Sequence, residues 1–218
     1  MQHEIFNLIY LSLLFLALFV VAEVLYHRFN VKVELTRKLV HVGTGLLSLL
    51  FPLLLSNIWS VFFLCGSFFI ILIGTLKYNL LQSVNAIRRE SVGSLAFPVA
   101  VSMSFFAYTY FGQQHIFYYV PILILAFCDP IAALSGKNFP YGKYTIGAAK
   151  KTAVGSTMFF LSACVVYFCI ALFLHLNIDT PFIIKGLCIA LATTIAEAVS
   201  GKGYDNITIP LAALLVLM

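Results

Sequence analysis

CDPIAALSGKNFPYGKYTIGAAKKTAVGS, residues 128–156, joins two apolar runs and holds most of the chain's chemistry. Asp129 opens it inside an apolar span. Glycines at 136, 142, 147 and 155 alternate with lysines at 137, 143, 150 and 151, and Gly155-Ser156 leads into the next run. A carboxylate near the lip of a bilayer, followed by pliant backbone and a lysine cluster, suits a metal-complexed polyphosphate. Asp129 lies about six residues, roughly 9 Å of helix, from the end of its span. An unpaired carboxylate at that depth costs about 3 kcal/mol, so it should face the bundle interior and meet a cation. Pro130 disfavours helix at residue 129 and removes the hydrogen bond to the Ala126 carbonyl, so a broken helix is expected beside the acid.

Outward from this segment the chain is greasy. Of 218 residues 62% are hydrophobic and 10% charged, with a mean hydropathy of +1.03. A soluble domain of this size cannot bury that much apolar surface, so the expected fold class is all-α, a polytopic transmembrane helix bundle forming one domain over residues 1–218. Seven runs are long enough to span: 5 to 26, 39 to 56, 58 to 76, 94 to 111, 117 to 135, 156 to 176 and 182 to 200. A last run, 207 to 218, is about 18 Å of helix and should stop inside the membrane. No basic residue precedes the first run, so it reads as a retained span rather than a cleaved signal.

Twelve of the thirteen Lys and Arg residues fall in alternate connections, Lys185 being the exception. The positive-inside rule makes that side cytoplasmic, with the N-terminus outside and the membrane expected to be the cell's inner one. Five cysteines, at 65, 128, 164, 169 and 188, lack metal or CxxC spacing and read as small buried hydrophobes. The excess of basic residues reflects these loops, and nucleic acid is not an expected partner. The oligomeric state is left open.

Other acids and bases reach the same side. Glu197 ends the seventh span, and Asp205-Asn206 follow in a Gly-Lys-Gly loop; with Asp129 they could compose a hard-cation site. Arg37, Lys38 and His41 open the second span and Arg88-Arg89 precede the fourth. His41 shares the face of Arg37, as a ligand contact or a plain topology anchor. Glu23 is expected to pair locally with Arg28 or Lys32. Gly142 and Gly147 have Walker A spacing, but Ala148 stands where lysine is required, so this is no standard P-loop. Gly155-Ser156 could present helix N-terminal amides to an anion.

RKLVHVGTG at 37–45, RRESVGSLAFP at 88–98, DPIAALSGKNFPYGK at 129–143, KKTAVGS at 150–156 and AEAVSGKGYDNITIPL at 196–211 occur in one order across nearly the whole chain. Together they resemble the CTP-using membrane lipid kinases, the phytol, farnesol and dolichol (polyprenol) kinase group, which is related to phosphatidate cytidylyltransferases. The resemblance implies CTP as phosphoryl donor, Mg2+ as cofactor and a membrane prenyl alcohol as acceptor. It implies catalytic roles for Asp129, Lys150 and Lys151, and metal roles for Asp129, Glu197 and Asp205. Nucleotide contacts are expected from Arg37, Lys38, Arg88, Arg89, Lys137, Gly142, Lys143, Thr152, Gly155, Ser156 and Asn206. Two other readings stay open: a CDP-lipid synthase, which needs nearly the same residues, and a small-solute transporter using Asp129.

Overall fold

The structure, a computed structural model, describes residues 2–85, 92–147 and 149–218. In chain order the helices are α1 (Gln2–Arg28), α2 (Val33–Ser48), α3 (Phe51–Leu54), α4 (Ile58–Lys77), α5 (Gln82–Asn85), α6 (Gly93–Tyr110) and α7 (Ile116–Leu123). A π-helical turn, Ile124–Cys128, runs from α7 into α8 (Asp129–Asn138). A hairpin of β1 (Lys143–Ile146) and β2 (Ala149–Thr152) follows, then α9 (Ala153–Phe173), α10 (Thr180–Val199) and α11 (Asp205–Leu217).

Six helical stretches among the described residues are long and apolar enough to cross a membrane, and the protein is an integral membrane protein. The run expected at 94 to 111 is α6, whose serines, Thr109 and Pro98 dilute its apolar character while Phe97, Ala100, Val101 and Phe105 are buried. α11 has thirteen residues and stops short of a full span. The central element is α7–π–α8: 67% of its most apolar window is buried, against 22–33% for the other five stretches. The outer helices turn Phe6, Phe63, Ile70 and Phe173 outward, as a lipid-facing surface requires.

Sequence-local signals place several helix starts. Asn57 caps α4 by accepting from the Trp59 amide at 3.0 Å, and Asp179 caps α10 through the Phe182 amide at 2.9 Å. Glu4 ties the far ends of α1 and α4 together, accepting from the Asn57 amide at 2.9 Å and the Ser60 hydroxyl at 3.0 Å. At the core the Tyr118 hydroxyl donates to the Ser48 carbonyl at 2.8 Å, and a Cβ on Gly45 would overlap the side chain of Ala126, so α2 lies close on the π turn.

Three expectations need correction. The helix is not broken at Asp129, which has φ −62° and ψ −50°. The missing Pro130 amide is absorbed one turn earlier by the π turn, a local widening that keeps the helix continuous. The stretch of Gly, Lys and Tyr read as pliant backbone contains an antiparallel hairpin, with Tyr144 opposite Lys151 and Thr145 opposite Lys150. Glu23 does not pair with Arg28 or Lys32: it bonds His27 at 2.9 Å and accepts from the amide and hydroxyl of Ser83 at 3.0 and 2.9 Å. That clamp, with the Thr36 hydroxyl donating to the Ser83 carbonyl at 2.6 Å, seats α5 against α1 and α2.

Candidate active site

One cavity of about 1150 Å³ opens where the ends of eight helices meet. The C-terminal ends of α1, α4, α8 and α10 and the N-terminal ends of α2, α6, α9 and α11 all lie on this side, because each connection on it follows a complete traverse. Six of the basic residues read from the sequence, Arg37, Lys38, Lys137, Lys150, Lys151 and Lys202, therefore border one mouth. Arg37, Lys38, Asp129, Lys137, Lys150, Lys151, Thr152, Gly155, Ser156, Glu197, Asp205 and Asn206 all border the cavity. Gly142 and Lys143 do not. Arg88 and Arg89 lie outside the described residues.

The acids and Lys151 form its centre. Strand alternation turns Lys151 inward while Lys150 stays exposed. The Lys151 ammonium bonds Glu197 Oε1 and lies 3.8 Å from Asp205 Oδ2. Burial by itself would lower the Lys151 pKa; Glu197 and Asp205 outweigh it and hold the ammonium above the usual lysine value. Asp205 is pushed up to about 6, first by burial and then by the Asp129 carboxylate, against the pull of Lys151. Glu197 Oε2 is buried with no hydrogen-bond partner among the described residues. The three carboxylates expected to hold a metal can be placed individually. The acids share the cavity, but no group of three His, Cys, Asp or Glu converges on one point among the described residues, and the ammonium links two of them. The donor set still fits a hard cation that keeps phosphate and water oxygens in most positions and takes only one or two carboxylates.

The π turn equips the opposite wall. His41 Nε2 lies 2.9 Å from the Leu125 carbonyl oxygen, so the proton belongs on Nε2 in this arrangement, and 4.0 Å from Asp129 Oδ2. The Lys38 ammonium donates to the Pro130 carbonyl at 3.4 Å. Sequence spacing put His41 on the face of Arg37 without deciding between ligand contact and anchor; the structure puts it beside Asp129 in the cavity lining.

Several expected ligand groups also hold the frame together. Thr152 caps α9 by accepting from the Gly155 amide at 3.1 Å, so that amide is already engaged. Gly136 and Gly155 let α8 and α9 cross closely: a Cβ on Gly136 would come within 2.5 Å of the Thr152 hydroxyl. Gly142, at φ +64°, turns the chain into β1, and its carbonyl accepts from the Ala153 amide at 2.9 Å. Ser156 Oγ and the Tyr144 hydroxyl are 2.5 Å apart, binding the hairpin to α9. Asn206 donates to the Gly93 carbonyl at 2.7 Å, and the Val92 amide donates to the Lys202 carbonyl at 2.9 Å, so α6 is fastened to the start of α11.

Below the mouth the same cavity becomes apolar. Phe15 and Phe19 of α1, Phe51 of α3, Leu64, Phe68 and Leu72 of α4 and Val101 of α6 line it. The run-by-run sequence reading could not see this slot, since its walls come from four separate elements. An anionic ligand gripped at the mouth can therefore meet a hydrophobic one rising from within the membrane.

No protein-family model and no solved structure matches the chain. A sequence relative does: the chain is 28% identical over 191 residues to a phytol kinase of Synechocystis sp. (strain ATCC 27184 / PCC 6803 / Kazusa), a match that takes in 84% of this chain and 78% of the relative.

Proposed function

We propose that the protein is a phosphotransferase that moves the terminal phosphoryl group of CTP to the hydroxyl of an isoprenoid alcohol at the cytoplasmic membrane face. One observation carries the reading: a single cavity joins a mouth of four carboxylates and five lysines to an apolar slot inside the membrane. The similarity to a phytol kinase supports an isoprenoid alcohol as acceptor. The positive-inside rule supports the cytoplasmic orientation.

Phosphoryl transfer depends mainly on positioning and charge neutralisation. The alcohol oxygen forms a bond to the γ-phosphorus, the bond from that phosphorus to the bridging oxygen breaks, CDP leaves, and the hydroxyl proton passes to an acceptor in the cavity. Arg37, Lys38, Lys137 and Lys150, at the rim, attract and orient the triphosphate. Lys151 is already held by Glu197, so its charge is pre-aimed rather than free to swing. Magnesium, when bound, would neutralise developing phosphate charge, and Asp129, Asp205 and the Glu197 oxygen without a hydrogen-bond partner among the described residues are the candidates for the one or two carboxylates that would hold it.

The test is CTP labelled in turn at its γ and α phosphates, with purified protein, magnesium and an isoprenoid alcohol. Label entering the lipid from the γ position only, and lost when magnesium is chelated, is the expected result. Label from the α position with cytidine retained identifies a CDP-lipid synthase instead. Absence of lipid labelling from either position, with solute uptake into vesicles that Asp129→Asn abolishes, identifies a transporter.

A further inference from the structure

We infer that the lower slot is a ruler for the acceptor's tail, with Phe15, Phe51 and Leu64 as its closed end. This rests on the alcohol-kinase reading and adds to it a limit on chain length. The slot's dimensions follow from helix geometry. Along α4 the lining residues run from Leu76 to Leu64, twelve residues or about 18 Å. The hydrocarbon core of a bilayer is about 30 Å thick, so the slot ends beyond the midplane without crossing to the other leaflet.

Its closed end is built from aromatic packing. Phe15 sits edge-on to Phe51, with ring centroids 6.0 Å apart, and 5.3 Å from Phe68. Immediately past this level, Leu11, Leu55 and Val61 are buried and do not border the cavity. Three helical segments thus meet and fill the space that the slot occupies higher up. The occupant follows from continuity: the walls are apolar, and the upper end opens on Asp129 and His41, where a reacting hydroxyl must sit. An alcohol held there can send its tail downward along the slot. An extended tail of farnesyl to geranylgeranyl length fits that depth, whereas a dolichol-length tail overruns it several times.

Leu64 allows the floor to be moved in both directions. In a panel of farnesol, geranylgeraniol and a dolichol-length polyprenol, the wild-type protein is expected to disfavour the polyprenol by at least about a hundredfold in kcat/KM, since even one misplaced methylene in an apolar pocket costs about tenfold. Leu64→Phe should shift the ratio about tenfold toward farnesol and Leu64→Ala about tenfold toward the longer tail. Equal efficiency with all three alcohols, or ratios unchanged in both variants, overturns the ruler while leaving the kinase reading intact. A second measurement is independent of turnover. A geranylgeranyl-length alcohol with a diazirine at its tail end should crosslink near Phe15 and Leu64, and labelling confined to the mouth or to the outer lipid face overturns the inference. Crosslinking at the floor without any phosphorylation would instead sink the kinase reading and keep the slot.

Discussion

The two ends of the cavity are stabilised by opposite means. At the mouth, charges are buried in a network: Lys151 is held by Glu197 and Asp205, and Lys38 and His41 lean on carbonyls beside the π turn. At the floor, Phe15, Phe51 and Leu64 meet through shape and dispersion alone. A mouth built this way is sensitive to the loss of one charge, because its partner is left stranded in a poor solvent. A floor built from side-chain volume tolerates substitution and changes what fits, so chemistry should be lost at one end and selectivity altered at the other.

The widest separation should come from Asp129→Asn. Turnover is expected to fall by about a hundredfold to a thousandfold, the scale of removing a group that acts in the transition state. Tail-probe crosslinking at the floor should persist, and joint loss of both would mean that the two ends are not independent. Next is Lys151→Ala, which leaves Glu197 buried and unpaired and should lower stability by about 3–5 kcal/mol, read as the unfolding midpoint in detergent. Lys151→Met combined with Glu197→Leu should recover most of that stability and none of the activity. A double variant as unstable as Lys151→Ala would show that the ion pair is not what the single change removed.

Smaller effects probe the frame. Gly136→Ala forces a Cβ against the Thr152 hydroxyl and should cost about 1–3 kcal/mol by overpacking, with the loss reduced in a Thr152→Ser background if the hydroxyl can move aside. Thr152→Ala should cost about 1 kcal/mol through the lost cap on α9. If Thr152→Ala instead abolished nucleotide binding with stability unchanged, Thr152 would be a ligand contact and not a structural residue.

How much of this was legible beforehand differs from residue to residue. Asp129 was visible because a carboxylate in an apolar run has few harmless explanations. Its pairing with His41 was not, because residues 41 and 129 are brought together by α2 crossing the π turn. The proline after Asp129 announced a backbone irregularity, but its form depended on α2: Leu125 leaves the regular helical pattern with a carbonyl that His41 takes up. Lys150 and Lys151 looked alike as a pair. Strand pairing made them different, sending one inward to two carboxylates and leaving the other at the rim. Gly155 and Thr152 read as anion-binding groups because capping and anion binding call on the same amides; that they also cap α9 and pack against Gly136 could be seen only in the structure.

Composition and spacing alone determined that this chain lives in a membrane as a bundle of helices of spanning length, and that twelve of its thirteen basic residues gather on one side. Those properties follow from transfer of each segment between water and lipid, a cost summed residue by residue along the chain. Tertiary structure alone decided which acid meets which base, that the Pro130 irregularity becomes a π turn, and that an apolar slot continues the mouth down to Phe15, Phe51 and Leu64. These depend on distances between segments far apart in the chain, and such distances are set by how side chains interlock after the helices have formed.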